Sequence, residues 1–221
     1  MSGRAWGYKL VGLMLFLGGC AGAMATEPPP GAVKVEREFP APGTKWVTRS
    51  TDHTGATTTT TLTALGEDTY GGKPVYRFDD GVDIWVYDKA THSWIARVRR
   101  DGQERIAAQP HDGSGSSPLW VGKSWQARYA YYDRDRGRSF SDVTFWWTIA
   151  AYEEVTVPAG TFKAFRLEGS NPTTTITSWW APEFRVMVKR IFERNASSYL
   201  GPGKFTTELV EYQPVKDGEK K

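Results

Sequence analysis

The sequence predicts an all-β protein: one antiparallel curved sheet or barrel-like domain behind an N-terminal signal and a tether. Three observations carry this. Short β-branched and aromatic runs recur along the chain, turn residues separate them, and beyond the first twenty residues no segment of ten or more places apolar residues at helical spacing. Strands at such intervals suit a barrel or a strongly curved half-barrel.

The elements follow in order. Trp46-Val47-Thr48 and the Thr-rich run Ala56 to Leu65 have the composition of strands, the second solvated. Val75 to Phe78 and Ile84 to Tyr87 flank Asp80-Gly81, a type I′ hairpin signal. His92 to Arg99 and Glu104 to Ala108 flank Asp101-Gly102, and Gln109 to Pro118, rich in Pro, Gly, Ser and Asp, reads as the longest loop. Ser124 to Tyr132 leads through the charged turn Asp133 to Gly137 into Phe140 to Tyr152. There Val143, Phe145, Trp147, Ile149 and Ala151 form the core row, while Asp142, Thr144, Trp146 and Thr148 face away. Thr161 to Glu168, Thr173 to Trp180, Arg185 to Arg194 and Lys204 to Tyr212 complete the set.

The domains are expected to be residues 1–19, 20–43, 44–215 and 216–221: signal, tether, β domain and charged tail. The tether is rich in Pro, Gly, Ala and charge, with Pro28-Pro29-Pro30 favouring an extended piece. About 180 residues remain after it, enough for one self-sufficient core. The 10 Trp, 10 Tyr and 10 Phe supply its large apolar bodies.

Arg4 and Lys9, the apolar run Leu10 to Leu17 and the small pair Gly18-Gly19 make up an export signal that ends at Cys20, the single cysteine. The apolar run is well short of the ~20 residues that span a bilayer as a helix. Leu17-Gly18-Gly19-Cys20 resembles the lipobox of bacterial lipoproteins. The resemblance implies cleavage between Gly19 and Cys20, diacylglyceryl transfer to the thiol and acylation, palmitate included, of the new amine. An ordinary cleaved signal with an incidental cysteine is the competing reading. Acylation would consume the one sulfur, so the mature domain would hold no disulfide and depend on burial. In that family Ala21 rather than Asp after the cysteine favours the outer membrane of a Gram-negative bacterium, the domain facing the periplasm. Removing residues 1–19 leaves 26 basic and 25 acidic residues, so the chain offers no basic excess for a nucleic-acid partner.

Pro118-Leu119-Trp120-Val121-Gly122-Lys123-Ser124-Trp125, then Val157-Pro158-Ala159-Gly160-Thr161-Phe162, then Trp179-Trp180-Ala181-Pro182, occur in that order. They resemble the uncharacterised exported DUF3108-like families over roughly residues 118–212, which implies a curved antiparallel sheet and brings no activity. Where that pattern has glycines after its Trp-rich segment, this chain has Glu183-Phe184-Arg185.

No catalytic, cofactor-binding or metal-binding residue is expected, and the chain is read as no enzyme. Ser114, Ser116 and Ser117 lack the nucleophile-elbow context. His53, His92 and His111 lack metal-motif spacing, although Asp52-His53 and His111-Asp112 could meet in space. Asp79, Asp80, Asp83, Glu153 and Glu154 sit at turns and strand ends, and the Arg97–Arg100 and Arg134–Arg138 clusters are interleaved with or followed by Asp.

The functional signal is the aromatic surplus. Trp85 with Tyr87, and Tyr129 with Tyr131, share strand faces, while the Trp146-Trp147 and Trp179-Trp180 pairs put rings on both. A closed barrel needs no ligand to cover them; a curved sheet holding an acyl chain or other hydrophobic envelope molecule is the sharper reading. A structural lipoprotein presenting rings to an envelope protein is the alternative.

Overall fold

The computed structural model describes residues 27–215; the signal, Cys20 and the charged tail at 216–221 lie outside them. Twelve strands form a closed antiparallel barrel: β1 Lys45–Asp52, β2 Thr57–Tyr70, β3 Lys73–Asp79, β4 Asp83–Asp88, β5 Trp94–Arg99, β6 Glu104–Gln109, β7 Ser124–Asp133, β8 Arg138–Val157, β9 Gly160–Asn171, β10 Thr174–Ala181, β11 Val186–Arg194 and β12 Gly203–Gln213. Each strand pairs with its sequence neighbours, and β1 closes the ring against β12. The all-β expectation holds, and every strand read from the sequence is present.

Because directly opposed residues share a face, the inner row can be followed around the ring. It runs through Trp46 and Leu62, then Phe78, Trp85 and Arg97, then Ala108 and Tyr131. It continues through Trp125, Trp147, Gly169, Ile176 and Phe192, and one step lower through Leu167, Ser178, Arg190, Thr207 and Ser50. Phe145, Trp147 and Ile149 are buried as their alternation predicts, but the register shifts between Ile149 and Ala151. Ala151 therefore leaves the inner row and pairs with Arg166, which corrects the five-residue core row.

Outward rings find their own cover. On the outside of β3–β6, Val75, Val86, Ala96 and Ala107 are sealed beneath Tyr70 and Tyr132. Tyr70 donates to Glu104 at 2.5 Å, fastening the end of β2 across β6. The long β8–β9 hairpin bends at its bulge, and Ala159 N–H donates to Leu209 C=O at 3.1 Å where β11 has parted from β12.

Three turn expectations meet different outcomes. Pro158-Ala159 forms the tight turn between the paired Val157 and Gly160. At Asp80-Gly81 the central residues are Gly81 and Val82, closed by Asp80 N–H to Asp83 C=O. Gly81 has φ 89° and Val82 is not left-handed, so the turn is not the I′ type, which needs both. Arg185 takes φ 58°, so it holds the left-handed position that a glycine would fill more easily.

The largest correction concerns the tether. Residues 35–40 pack on the barrel instead of standing clear of it. Val35 and Leu119 exchange backbone hydrogen bonds at 3.0 and 2.7 Å. Arg37 N–H donates to Ser117 Oγ at 2.8 Å, Phe39 stacks between Tyr76 and His92, and Tyr76 Oη–H donates to Pro40 C=O. Val35, Arg37 and Phe39 point to the barrel while Lys34, Glu36 and Glu38 stay exposed or nearly so. This strap and the 110–123 loop cover the barrel end at which β1 begins, and the packing starts at Val35. The opposite end is only partly open: Thr58 and Phe205, both on inner-face positions, are exposed there, while Tyr199 of the β11–β12 loop reaches across to Tyr131 and Asp133.

Candidate ligand-binding lumen

Side chains suffice to fill a barrel of about eight strands; twelve enclose more space. The interior residues show that this space is only partly filled. Tyr87 on the inner row, and Arg37 and Asp112 at the covered end, each keep solvent-accessible surface, so space remains beside them. Trp85, Trp94, Trp125, Tyr131, Arg190 and Phe192 are likewise only half-buried, although they lie on the inner row or pack against its buried residues.

Of the rings singled out in the sequence, Trp85, Tyr87, Tyr129, Tyr131, Trp147 and Trp180 face inward. Trp146 and Trp179 face out. Trp146 is 50% exposed, and Trp179 donates from its indole to Glu153 at 2.9 Å. Trp147 lies over Gly169, where a Cβ would come within 2.4 Å of its ring.

The lumen is not purely apolar. Near its open end, Arg97 lies 4.7 Å above the Trp85 ring and pairs with Asp80 at 3.3 Å and Asp83 at 2.7 Å. Arg105 also reaches Asp83, at 2.8 Å, and Trp85 Nε1–H donates to Asp80 at 2.6 Å. Acids and bases are matched in this cluster.

Deeper in, they are not. Arg37 enters from the strap with its guanidinium 5.3 Å from the Trp180 ring, and its Nε and Nη1 have no hydrogen-bond partner. Burial lowers its pKa to about 10, so it stays charged at neutral pH. Arg190 projects from β11, its Nε also unpartnered. Among the described residues neither guanidinium has a carboxylate within 4.0 Å. Both act on Tyr87, which projects from β4, five strands away round the ring. Burial pushes the Tyr87 phenol up to about 12. Asp112 shares the space, and burial raises its pKa; it accepts from Trp94 N–H at 3.0 Å and from Ser114 N–H and Oγ–H at 2.9 and 2.7 Å.

The other sequence candidates disperse. Asp52-His53 lies at the open end and His111-Asp112 at the strap end, so the two pairs do not meet. Ser114 closes an Asp112 turn and Ser117 holds the strap through Arg37 N–H and Glu36. The basic clusters are paired with acids: Arg99 with Asp135, Arg100 with Asp79, Arg134 with Glu104 and Arg136 with Asp133. Arg37 and Arg190 escaped the sequence reading because arginines beside or on strands read as solvated.

No family model matches the sequence, and no curated protein matches it either. Two solved structures are similar to it. One is a candidate lipoprotein from Parabacteroides distasonis, 14% identical, covering 81% of this chain and 99% of its own, with a TM-score of 0.40. The other is a candidate exported protein with a YmcC-like fold from Bacteroides fragilis, 12% identical over 80% of this chain and 99% of its own, with a TM-score of 0.37. Neither brings a ligand or an activity to this chain. The DUF3108-like resemblance rests on the three segments that carry it.

Proposed function

We propose that the chain is a cell-envelope lipoprotein, held through Cys20 at the periplasmic face of the outer membrane, whose barrel is a non-catalytic binding module for an envelope molecule with a large apolar part. The observation that carries the binding reading is the inward-facing yet accessible ring wall formed by Trp85, Tyr87 and Tyr131. Rings in a closed barrel with no spare space would lose that surface. The anchor reading rests on the Leu17 to Cys20 signal.

Uptake of the neutral fluorophore N-phenyl-1-naphthylamine tests the lumen. The full chain carrying Cys20→Ser should bind one molecule and raise its emission, and Tyr87→Arg should lower the uptake. Emission unchanged from buffer would overturn the reading. Metabolic labelling with an alkynyl fatty acid tests the anchor: the wild-type chain should be labelled and Cys20→Ser should not.

One observation favours a second reading, an envelope protein that docks a partner from its outer wall. Trp146 is exposed on the outer wall, flanked across the strands by Gln126 and Ser170. Site-specific photo-crosslinking from Gln126, cross-strand from Trp146, would have to recover one reproducible partner for this reading to stand.

A further inference from the structure

We propose that the molecule bound in the lumen is an amphiphile whose anionic head, a carboxylate or a phosphate, is held by the guanidinium groups of Arg37 and Arg190. This rests on the binding reading above and specifies its ligand class.

The argument starts from charge. The deep part of the lumen holds two guanidiniums and one carboxylate, Asp112, whose Oδ1 is held by Trp94 and Ser114. Arg97 adds no excess, because Asp80 and Asp83 pair it nearer the open end. One positive charge is therefore left over in an enclosed space. Such a charge is unfavourable away from water unless an opposite charge meets it.

The hydrogen-bonding inventory points the same way. Most unpartnered polar atoms facing the lumen are donors: Arg37 Nε and Nη1, Arg190 and Arg194 Nε, and the indole N–H groups of Trp94 and Trp147; the exceptions are Asp83 Oδ1, beside Arg97, and His92 Nδ1, beside the strap. A guanidinium carries five N–H groups in a planar fork that matches a carboxylate or phosphate edge, and it cannot accept. A neutral, donor-rich ligand would leave this set unsatisfied.

The body of the ligand is set by what surrounds the two arginines. Trp180 and Phe192 lie 5.3 and 5.7 Å from the Arg37 and Arg190 guanidinium carbons, and Tyr129 and Trp125 continue the wall. These surfaces stabilise an alkyl or ring body by burial and offer nothing to a free inorganic anion. The partly open end, beside Thr58 and Phe205, gives the entry path, since the strap and the 110–123 loop cover the other.

Calorimetric titration of the full chain carrying Cys20→Ser with decanoate, decyl phosphate, decanol and inorganic phosphate tests this. Decanoate and decyl phosphate should bind one to one, with decanol weaker by about ten-fold or more, as expected when charged hydrogen bonds are lost. Arg190→Gln and Arg37→Gln should each weaken the two anionic amphiphiles by a similar factor and leave decanol unchanged. Arg49→Gln, on the exposed face of β1, should change nothing. Circular dichroism reports whether each variant is folded, and retention of decanol binding reports an intact lumen. Decanol binding as tightly as decanoate would overturn the anionic head and leave the binding module standing. Inorganic phosphate binding as tightly as decyl phosphate would overturn the amphiphile. Binding of none of the four would overturn both readings.

Discussion

The rings of Phe39 and Tyr76 stack face to face, their centroids 4.4 Å apart and their planes 7° from parallel. On its other side Phe39 meets His92 at 4.3 Å. A residue from a stretch composed like a linker is thus clamped between two barrel elements, and its burial belongs to the stability of the domain. Phe39→Ala should destabilise by about 2–3 kcal/mol, below the ~3–5 kcal/mol of Phe→Ala in cores because Phe39 is only half-buried. Urea unfolding measures this; a change under half a kcal/mol would mean the strap contributes nothing.

His92 makes part of this clamp sensitive to pH. Burial, and then the charge of Arg37, hold its pKa down to about 4, against a smaller opposing effect of Asp88. As pH falls the unfolded chain takes up its proton first, near the ordinary value of about 6.5. The stabilising contribution is complete above that pH and is lost progressively down to about 4. The raised carboxyl of Asp112 acts with the opposite sign but is common to wild type and variant. His92→Asn keeps a residue that tolerates φ 62° and removes the titration. Urea midpoints measured between pH 7 and pH 4 should fall more steeply for the wild type; parallel curves would contradict the assignment.

Arg185 occupies φ 58° after β10 and pairs with Glu38 of the strap at 2.7 Å. A side chain in the left-handed region costs roughly 1–2 kcal/mol, whereas an exposed ion pair contributes about 0–1. Arg185→Gly should therefore leave stability unchanged or raise it by up to about 1 kcal/mol, unlike most Arg→Gly changes. Arg185→Val, β-branched, should lower it by about 1 kcal/mol or more. Thermal unfolding of the two variants compares them directly.

Gly169 permits the close seat of Trp147 on the barrel wall, with no room for a Cβ. Gly169→Ala forces the ring to move and should cost about 1–3 kcal/mol, the usual range for overpacking. It should also shift the tryptophan emission.

The strands were legible because one face of each is buried, which imprints a period of two on Phe145-Trp146-Trp147-Thr148-Ile149 and its counterparts. The bulge after Ile149 was not, since one extra residue leaves no mark in composition. The strap did leave a trace: Val35, Arg37 and Phe39 alternate with Lys34, Glu36 and Glu38. Its prolines, glycines and charges masked that short pattern. The inward rings were legible as faces, whereas which face would be the inside of the ring depended on closure between β1 and β12. The lumen arginines depend on that closure too. Arg190 is one charged residue among several on β11, and only pairing with Ser178 and Thr207 turns it inward.

Native mass spectrometry of the full chain carrying Cys20→Ser, recovered from cells without detergent, asks most directly whether the barrel holds a molecule. The lumen reading calls for a discrete adduct of constant mass at one per chain, displaced by decanoate. A spectrum showing the bare polypeptide, with no adduct gained on adding decanoate or decanol, would contradict it.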